Sequence, residues 1–205
     1  HFLRTEARKH SVEMEFLRGR SIGRGRAKRI AERNLRAAEE YFVERFNGEL
    51  DEKTIMETVE ILEPSLSPVS YRNELSPTTF AKGGGYVYPQ NVATQMADFV
   101  LHNRDYAKPI EKALHSHFNI ARIHPFSDGN GRLARVVQNG LLTRSGFPPI
   151  ILELTDRPTY IGLLNKAEHS YDDCQGLKSE QSRFYNYLAM KLWNSLSRAR
   201  DRLSH

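Results

Sequence analysis

The chain has 205 residues, of which 39% are hydrophobic and 10% aromatic, with a formal net charge of +5 and one cysteine. This size suits one domain with a sizeable core, and the composition excludes a disordered, collagen-like or disulfide-rich chain. No apolar run reaches the length of a membrane-spanning helix, and no signal-peptide pattern opens the sequence. From the lack of such a run we expect no membrane partner. Cys174, as the single cysteine, cannot form an internal disulfide, which favours a reducing compartment, so we expect a cytoplasmic protein.

Positive charge is concentrated near the start of the chain, where eight arginines and lysines lie between Arg18 and Arg36. A basic run of this kind can bind nucleic acid. However, no aromatic residue interrupts it, and Glu32, Glu39 and Glu40 lie within or just after it. We interpret the run as a loop followed by a solvated helix face, and we do not expect a nucleic-acid partner.

A helical apolar pattern covers most of the chain. The predicted helices are 26–46, 51–62, 92–103, 108–122, one that ends at about 145, 158–169 and 178–203. The segment 64–89 is too rich in Pro, Ser, Thr and Gly for a helix, and we predict a hairpin around its triple glycine, 83–85. A short extended stretch is predicted at 150–154, after two prolines. With no internal repeat and no clear second domain, the pattern indicates an all-α fold with a small hairpin.

The most informative segment lies between two of these helices, where residues 124–135 read His-Pro-Phe-Ser-Asp-Gly-Asn-Gly-Arg-Leu-Ala-Arg. A glycine-rich turn before a helix directs backbone N–H groups at one point, which suits an anion. Arg132 and Arg135 share a helical face, where their forked donors suit phosphate. Asp128 fits if Mg²⁺ bridges its carboxylate and the phosphate, and His124 can accept a proton near neutral pH. The segment therefore predicts a metal-nucleotide site beside a general base.

Each of these residues also has a purely structural interpretation. The segment can be an inter-helix turn in which His124 ends one helix and Asp128 caps the next, since Asp is favoured as an N-cap. A turn requires neither the charge pair nor the second arginine. The combination therefore favours phosphate binding.

The same segment resembles the signature of Fic-domain proteins, His-Pro-Phe-x-(Asp/Glu)-Gly-Asn-Gly-Arg-x-x-Arg, at every fixed position. The similarity extends over about residues 11–172. Fic proteins are all-helical enzymes that mostly transfer AMP from ATP to a protein hydroxyl and release pyrophosphate. The resemblance implies a Fic-fold helical domain at 26–205, with its core at about 71–172 and a β-hairpin flap at about 71–89. It also implies an inhibitory helix and a basic loop at 1–25.

The resemblance further implies a role for each signature residue. His124 would be the base that deprotonates a Ser, Thr or Tyr hydroxyl of the target protein. Asp128 would hold Mg²⁺ on the α- and β-phosphates of ATP, and Phe126 would anchor the loop in the core. The remaining residues would bind the phosphates: Gly129, Asn130 and Gly131 as an anion cradle, Arg132 on the phosphates and Arg135 on the γ-phosphate.

Two family variants are absent from the signature of this chain. Doc-type kinases have Lys in place of Gly131, and phosphocholine-transferring members have Ala in place of Gly129. The resemblance therefore favours AMP transfer.

Residues 11–15, Ser-Val-Glu-Met-Glu, resemble the inhibitory motif of many Fic proteins. In that motif the glutamate pairs with the second arginine of the signature and blocks the γ-phosphate. Here Glu15 would pair with Arg135, and Ser11 would stabilise the helix. The sequence departs from the motif at Phe16, where Gly or Asn is usual, and an ordinary charged helix is the alternative.

Two further residues are assigned by resemblance. Tyr160 lies in a stretch similar to the helix that lines the adenine and ribose pocket, and it is either a nucleotide contact or a core tyrosine. Phe80 is the predicted target-binding residue of the flap. The alternative is a loop with no role in target binding.

Two function classes remain at this point. The first is an AMP transferase acting on a protein target and on itself, with removal of AMP and a homo-oligomeric state left open. The second is a non-catalytic nucleotide-binding or DNA-associated regulator that retains the signature for ligand sensing. An intact base at His124 has no purpose in a pure binding protein, so the sequence favours the enzyme.

Overall fold

The structure is a computed structural model that describes residues 24–75, 87–171 and 179–204. Within these ranges the chain forms seven α-helices, three short 3-10 turns and no strand. The helices are α1 (Arg24–Arg45), α2 (Glu52–Leu62), α3 (Val92–Asn103), α4 (Pro109–Ile123), α5 (Asn130–Arg144), α6 (Arg157–His169) and α7 (Ser179–Leu203). The all-α prediction is confirmed, and no helix end differs from its predicted position by more than two residues.

The helix boundaries follow from short-range chemistry. Asp51 caps α2, because its carboxylate accepts hydrogen bonds from the backbone N–H of Thr54 at 2.7 Å and from the Thr54 hydroxyl at 2.9 Å. Pro64 follows α2 closely and prevents its continuation. Pro109 and Pro158 lie in the first turns of α4 and α6, where the missing N–H costs nothing.

In the predicted extended stretch, 150–154, residues 150–153 belong to no helix or strand, and Glu153 has extended backbone angles, φ −73° and ψ 162°. The prediction is wrong at Leu154, which begins a 3-10 turn, Leu154–Asp156. The described residues offer this stretch no neighbouring strand. Instead Asn139 pairs with Ile150, whose N–H donates to the Asn139 side chain at 2.9 Å and whose carbonyl accepts from it at 3.3 Å. The predicted hairpin falls on residues 76–86 and lies outside the described residues.

Helices α4 and α5 form the centre of the domain and pack against each other over most of their length. Residues 116–123 of α4 and 132–142 of α5 are all buried. Helices α1 and α2 cover one side of this pair, while α6 and α7 pack together and α7 contacts α4. The loop between α4 and α5 is therefore held between the two most buried elements of the domain.

The outer helix α1 shows the expected one-sided pattern. Its buried face consists of Leu35, Ala38 and Phe42, at spacings of three and four residues, and Phe46 continues this face just after the helix ends. Ile30, nearer the start of the helix, is 42% exposed. In the part of the chain that the structure describes, no helix combines the length and apolar character needed to cross a membrane.

Candidate active site

His124 lies at the C-terminal end of α4 in a left-handed conformation, with φ 51° and ψ 56°. Among the described residues it is the only residue other than glycine with a positive φ. This conformation costs free energy for a residue with a Cβ atom, and such residues cluster at functional sites. The surrounding structure must therefore hold the turn at His124 in place.

Arg72 supplies that support from the irregular segment after α2. Its backbone N–H donates to the Pro125 carbonyl at 2.9 Å, and its Nε donates to the His124 carbonyl at 2.6 Å. The guanidinium also donates to the carbonyls of Ile123, at 3.3 Å, and Glu74, at 3.1 Å. A further hydrogen bond goes to the Val87 carbonyl. Arg72 therefore fixes the backbone that carries the predicted base, a role that the sequence pattern did not reveal.

Phe126 and Asn130 close the loop from inside. Phe126 is fully buried and its ring lies 5.7 Å from that of Tyr71. The Asn130 side chain accepts from the Phe126 N–H at 2.9 Å and donates to the Phe126 carbonyl at 2.7 Å. The side chain of Asn130 thus ties the loop together, so any contribution of this residue to an anion cradle must come from its backbone N–H.

Gly129, and not Asp128, is the N-cap of α5. The N-cap interpretation of Asp128 is therefore wrong: its carboxylate accepts instead from the Gly129 N–H at 2.7 Å. Glycine at the cap has no side chain that could accept hydrogen bonds from the first N–H groups of the helix. A bound anion can accept these hydrogen bonds instead.

Gly129 is required here for two reasons. Its φ of 82° is in the left-handed region, and a Cβ at this position would lie 3.0 Å from Cγ of Glu63. An alanine would therefore be strained and would press on the Glu63 side chain.

Arg132 is buried on the first turns of α5, next to two carboxylates. Its Nη2 forms an ion pair with Oε1 of Glu63 and lies 3.8 Å from Oδ1 of Asp128. Glu63, which directly follows α2 and precedes Pro64, lies outside every motif of the sequence, so no local pattern indicated its role. A buried arginine needs such a partner because an unpaired charge away from water is costly.

Arg135 lies one turn further along α5 and is also buried. Burial, with the positive charge of Arg135 as a second cause, lowers the pKa of His117 from 6.5 to about 3. His117 is therefore a neutral core histidine. Burial likewise lowers the pKa of His115 to about 4, with the charges of Arg122 and His102 adding to the effect.

Tyr160 lies in the core next to His117. Its side chain is 3% exposed, and a 2.8 Å hydrogen bond joins its hydroxyl to Nε2 of His117. Its ring also contacts Phe184 of α7 at 5.9 Å between centroids. These contacts fit the core tyrosine, the alternative interpretation of this residue.

Three predicted residues, Ser11, Glu15 and Phe80, lie outside the described residues. Asp128 remains the predicted Mg²⁺ ligand. Within the described ranges, no group of three or more His, Cys, Asp or Glu side chains is arranged to hold a metal ion. A single carboxylate nevertheless suits Mg²⁺ when phosphates supply the other ligands.

The helical architecture and the loop 124–135 together define an all-α domain of the Fic fold. The Fic/DOC family matches residues 30–142, more than half of the chain. The chain therefore belongs to this family.

Relatives and solved structures agree with this assignment. A protein adenylyltransferase Fic from Nematostella vectensis is 52% identical over 61 residues, which cover 30% of this chain and 14% of that protein. A solved fragment of Fic-1 from C. elegans has a TM-score of 0.76 at 25% identity, covering 98% of this chain and 63% of that one. A Fic domain containing signaling protein from Bacteroides thetaiotaomicron has a TM-score of 0.72 at 24% identity, covering 95% and 85%. The chain thus spans about a seventh of the curated relative it matches.

Proposed function

We propose that the chain is a protein adenylyltransferase, which transfers AMP from Mg·ATP to a Ser, Thr or Tyr hydroxyl of a protein target and of itself. One observation carries the proposal. A glycine-capped helix N-terminus with Arg132 and Arg135 on its first turns directly follows a loop that begins at His124. This arrangement places anion donors and a proton acceptor at opposite ends of one short loop.

The proposed chemistry is an in-line displacement at phosphorus. The target hydroxyl oxygen forms a bond to the α-phosphorus of ATP, the bond from this phosphorus to the bridging oxygen breaks, and pyrophosphate leaves. His124 takes the hydroxyl proton. The first N–H groups of α5 and the two guanidinium groups stabilise the negative charge on the phosphates, because nucleotidyl transfer depends on positioning and charge neutralisation.

Mg²⁺ is part of this proposal, with Asp128 as its protein ligand. The Asp128 side chain is 28% exposed, so a hydrated cation can reach it, and its oxygen is the type of ligand that Mg²⁺ prefers. When bound, the ion would supply positive charge beside the phosphates and so lower the negative charge that the arginines must balance.

Autoinhibition is the regulatory part of the proposal. A Glu15 carboxylate on Arg135 would compete with the γ-phosphate for the same donors. The support is the resemblance of residues 11–15 to the inhibitory motif, together with the family membership of the chain. In some Fic proteins the same glutamate helps to remove AMP, so we extend the proposal to that reverse activity.

The relatives support the activity by name, since the Nematostella protein is a protein adenylyltransferase. The matched region is 14% of the Nematostella protein, so we propose the same activity for this chain and do not take it from the match alone.

The test is incorporation of label from [α-³²P]ATP with Mg²⁺ into the protein itself and into a cell lysate. We expect weak labelling by the wild type, strong labelling by Glu15→Gly, and loss of labelling when His124→Ala is added to Glu15→Gly. Equal labelling by the wild type and Glu15→Gly would contradict autoinhibition. If ATP binds but no variant incorporates label, the chain is a nucleotide-binding regulator and not a transferase.

A further inference from the structure

Glu63 has a buried ionic contact that the proposed function does not use. Its carboxylate pairs with Nη2 of Arg132, and the two side chains are 13% and 8% exposed. Exposed ion pairs contribute little to structure, but two charges withdrawn from water to this extent must be held together to be tolerated. Glu63 is therefore a fixed neighbour of Arg132.

The backbone of Glu63 is itself fixed. Its N–H donates to the Val59 carbonyl at 2.8 Å, and its carbonyl accepts from the Leu66 N–H at 2.9 Å. Pro64, which follows, restricts the chain further. The stem of the side chain lies against the cradle, since a Cβ on Gly129 would come within 3.0 Å of it. The carboxylate is thus carried on a rigid point beside the proposed phosphate site.

Arg132 lies between two carboxylates and contacts one of them more closely. Its Nη2 pairs with Glu63 and is 3.8 Å from Oδ1 of Asp128, a distance that allows an ion pair but not a hydrogen bond. Asp128 and Arg132 are four residues apart across the start of α5, a spacing at which such side chains readily pair. The Glu63 contact is the shorter of the two in this structure.

Arg132 also retains donor capacity after it has paired with Glu63. A guanidinium has five N–H donors in a rigid fork. Within the described residues, Nε of Arg132 is buried and has no hydrogen-bond partner. A buried donor without a partner is costly, which is expected where a ligand supplies the acceptor.

We propose that Glu63 is a positioning residue, which holds the Arg132 guanidinium beside the cradle as its closer carboxylate partner. The guanidinium is then in place for the phosphates of the nucleotide, and its contact with Asp128 stays the longer of the two. This proposal rests on the proposed nucleotide site. It adds to the proposed function a role for Glu63, a residue outside the signature.

The test compares Glu63→Gln with Glu60→Gln. The first variant keeps the shape of the side chain but removes its charge, and Glu60 is an exposed residue of the same helix whose carboxylate accepts from the Ser67 hydroxyl at 2.6 Å. Losing a supporting partner of a ligand group typically weakens binding ~10–100-fold. We therefore expect Glu63→Gln to raise the Kd for Mg·ATP by about tenfold or more. Glu60→Gln should leave it unchanged, with calorimetric titration as the measurement.

The same comparison at fixed ATP gives the Mg²⁺ dependence. In Glu63→Gln, Asp128 is the remaining carboxylate partner of Arg132, and we expect the two to pair more closely. The Mg²⁺ concentration at half-saturation should therefore rise as well. Each titration is run with and without Glu15→Gly, so that inhibition does not hide binding.

A second measurement needs no nucleotide. The Nε–Hε resonance of Arg132, assigned by its absence in Arg132→Lys, should move in Glu63→Gln and stay in place in Glu60→Gln. An unmoved resonance overturns the positioning role, and so does Mg·ATP binding to Glu63→Gln that equals or exceeds that of the wild type. If no variant binds Mg·ATP, the proposed function fails, while the resonance still decides whether Glu63 holds Arg132.

Discussion

The guanidinium of Arg72 donates hydrogen bonds to four backbone carbonyls. Two belong to the end of α4 and the turn after it, Ile123 and His124, and two belong to the connection between α2 and α3, Glu74 and Val87. Lysine keeps the charge of arginine but has one nitrogen in place of the planar fork. The left-handed turn at His124 therefore depends on a side chain for which no conservative replacement exists.

We expect Arg72→Lys to lower AMP incorporation by the Glu15→Gly protein by about 100-fold, because a shift of about 1 Å in a reacting group has that effect. Mg·ATP binding should change little, since Arg72 supports the base and not the phosphates. The measurements are labelling rates and calorimetric binding. Arg36→Lys is the control, because Arg36 is exposed and pairs only along its own helix with Glu40 among the contacts described. A parallel loss of binding and labelling would show that Arg72 supports the whole domain and not the turn.

At this scale the sequence indicated the site unevenly. The signature residues are contiguous, so their chemistry could be inferred without a fold. Arg72 and Glu63 reach the signature from 52 and 69 residues away along the chain, a separation that no local pattern encodes. Tyr160 remained ambiguous for the same reason, because its partner His117 is 43 residues away.

Helices α1 and α5 approach each other closely at Gly140. A Cβ on Gly140 would lie 2.3 Å from Cδ1 of Phe42, whose ring is fully buried. Neither a flexible side-chain end nor open space is available to absorb the added atom. The two helices can therefore approach closely only because residue 140 has no side chain.

We expect Gly140→Ala to lower the free energy of unfolding by ~1–3 kcal/mol, the usual cost of overpacking a core. Gly162→Ala is the matched control, because this glycine is exposed on α6 with nothing within 4 Å of an added Cβ. The control should be neutral or stabilising by up to ~1 kcal/mol, given the higher helix propensity of alanine. Urea unfolding of both proteins provides the comparison. Equal stability of the two variants would contradict the close-approach argument.

The helices themselves were predictable, because each has a periodic apolar face and most have a clear start or stop residue. What supports the extended stretch that begins at Ile150 was not predictable. The N–H and carbonyl of Ile150 bond to the side chain of Asn139, eleven residues earlier. Nothing in the local pattern indicates that an asparagine of the preceding helix takes this role.

For the whole molecule, the two buried histidines of α4 predict sensitivity to acid. Their pKa values are lowered to about 4 for His115 and about 3 for His117, from 6.5 in the unfolded chain. The unfolded chain therefore binds protons first as the pH falls. The contribution of these groups to stability is complete above pH 6.5 and is lost between pH 6.5 and about 4 for His115, and between pH 6.5 and about 3 for His117.

In that window, stability should fall by ~1.4 kcal/mol per pH unit for each histidine. Urea unfolding at pH 7, 6, 5 and 4.5 measures the slope in the wild type and in His115→Gln and His117→Gln. In each variant the slope should be smaller than in the wild type by ~1.4 kcal/mol per pH unit, whatever the substitution does to the stability at pH 7. A slope that stays the same in both variants would show that other groups control acid unfolding.

The Arg72 contacts have a further consequence for how this domain can diverge. The guanidinium joins the carbonyls of Glu74 and Val87 to those of Ile123 and His124. All four acceptors are backbone atoms, which every amino acid carries. The side chains at positions 74 and 87 can therefore change over evolution while the turn keeps its support, whereas a change at Arg72 removes all four contacts at once.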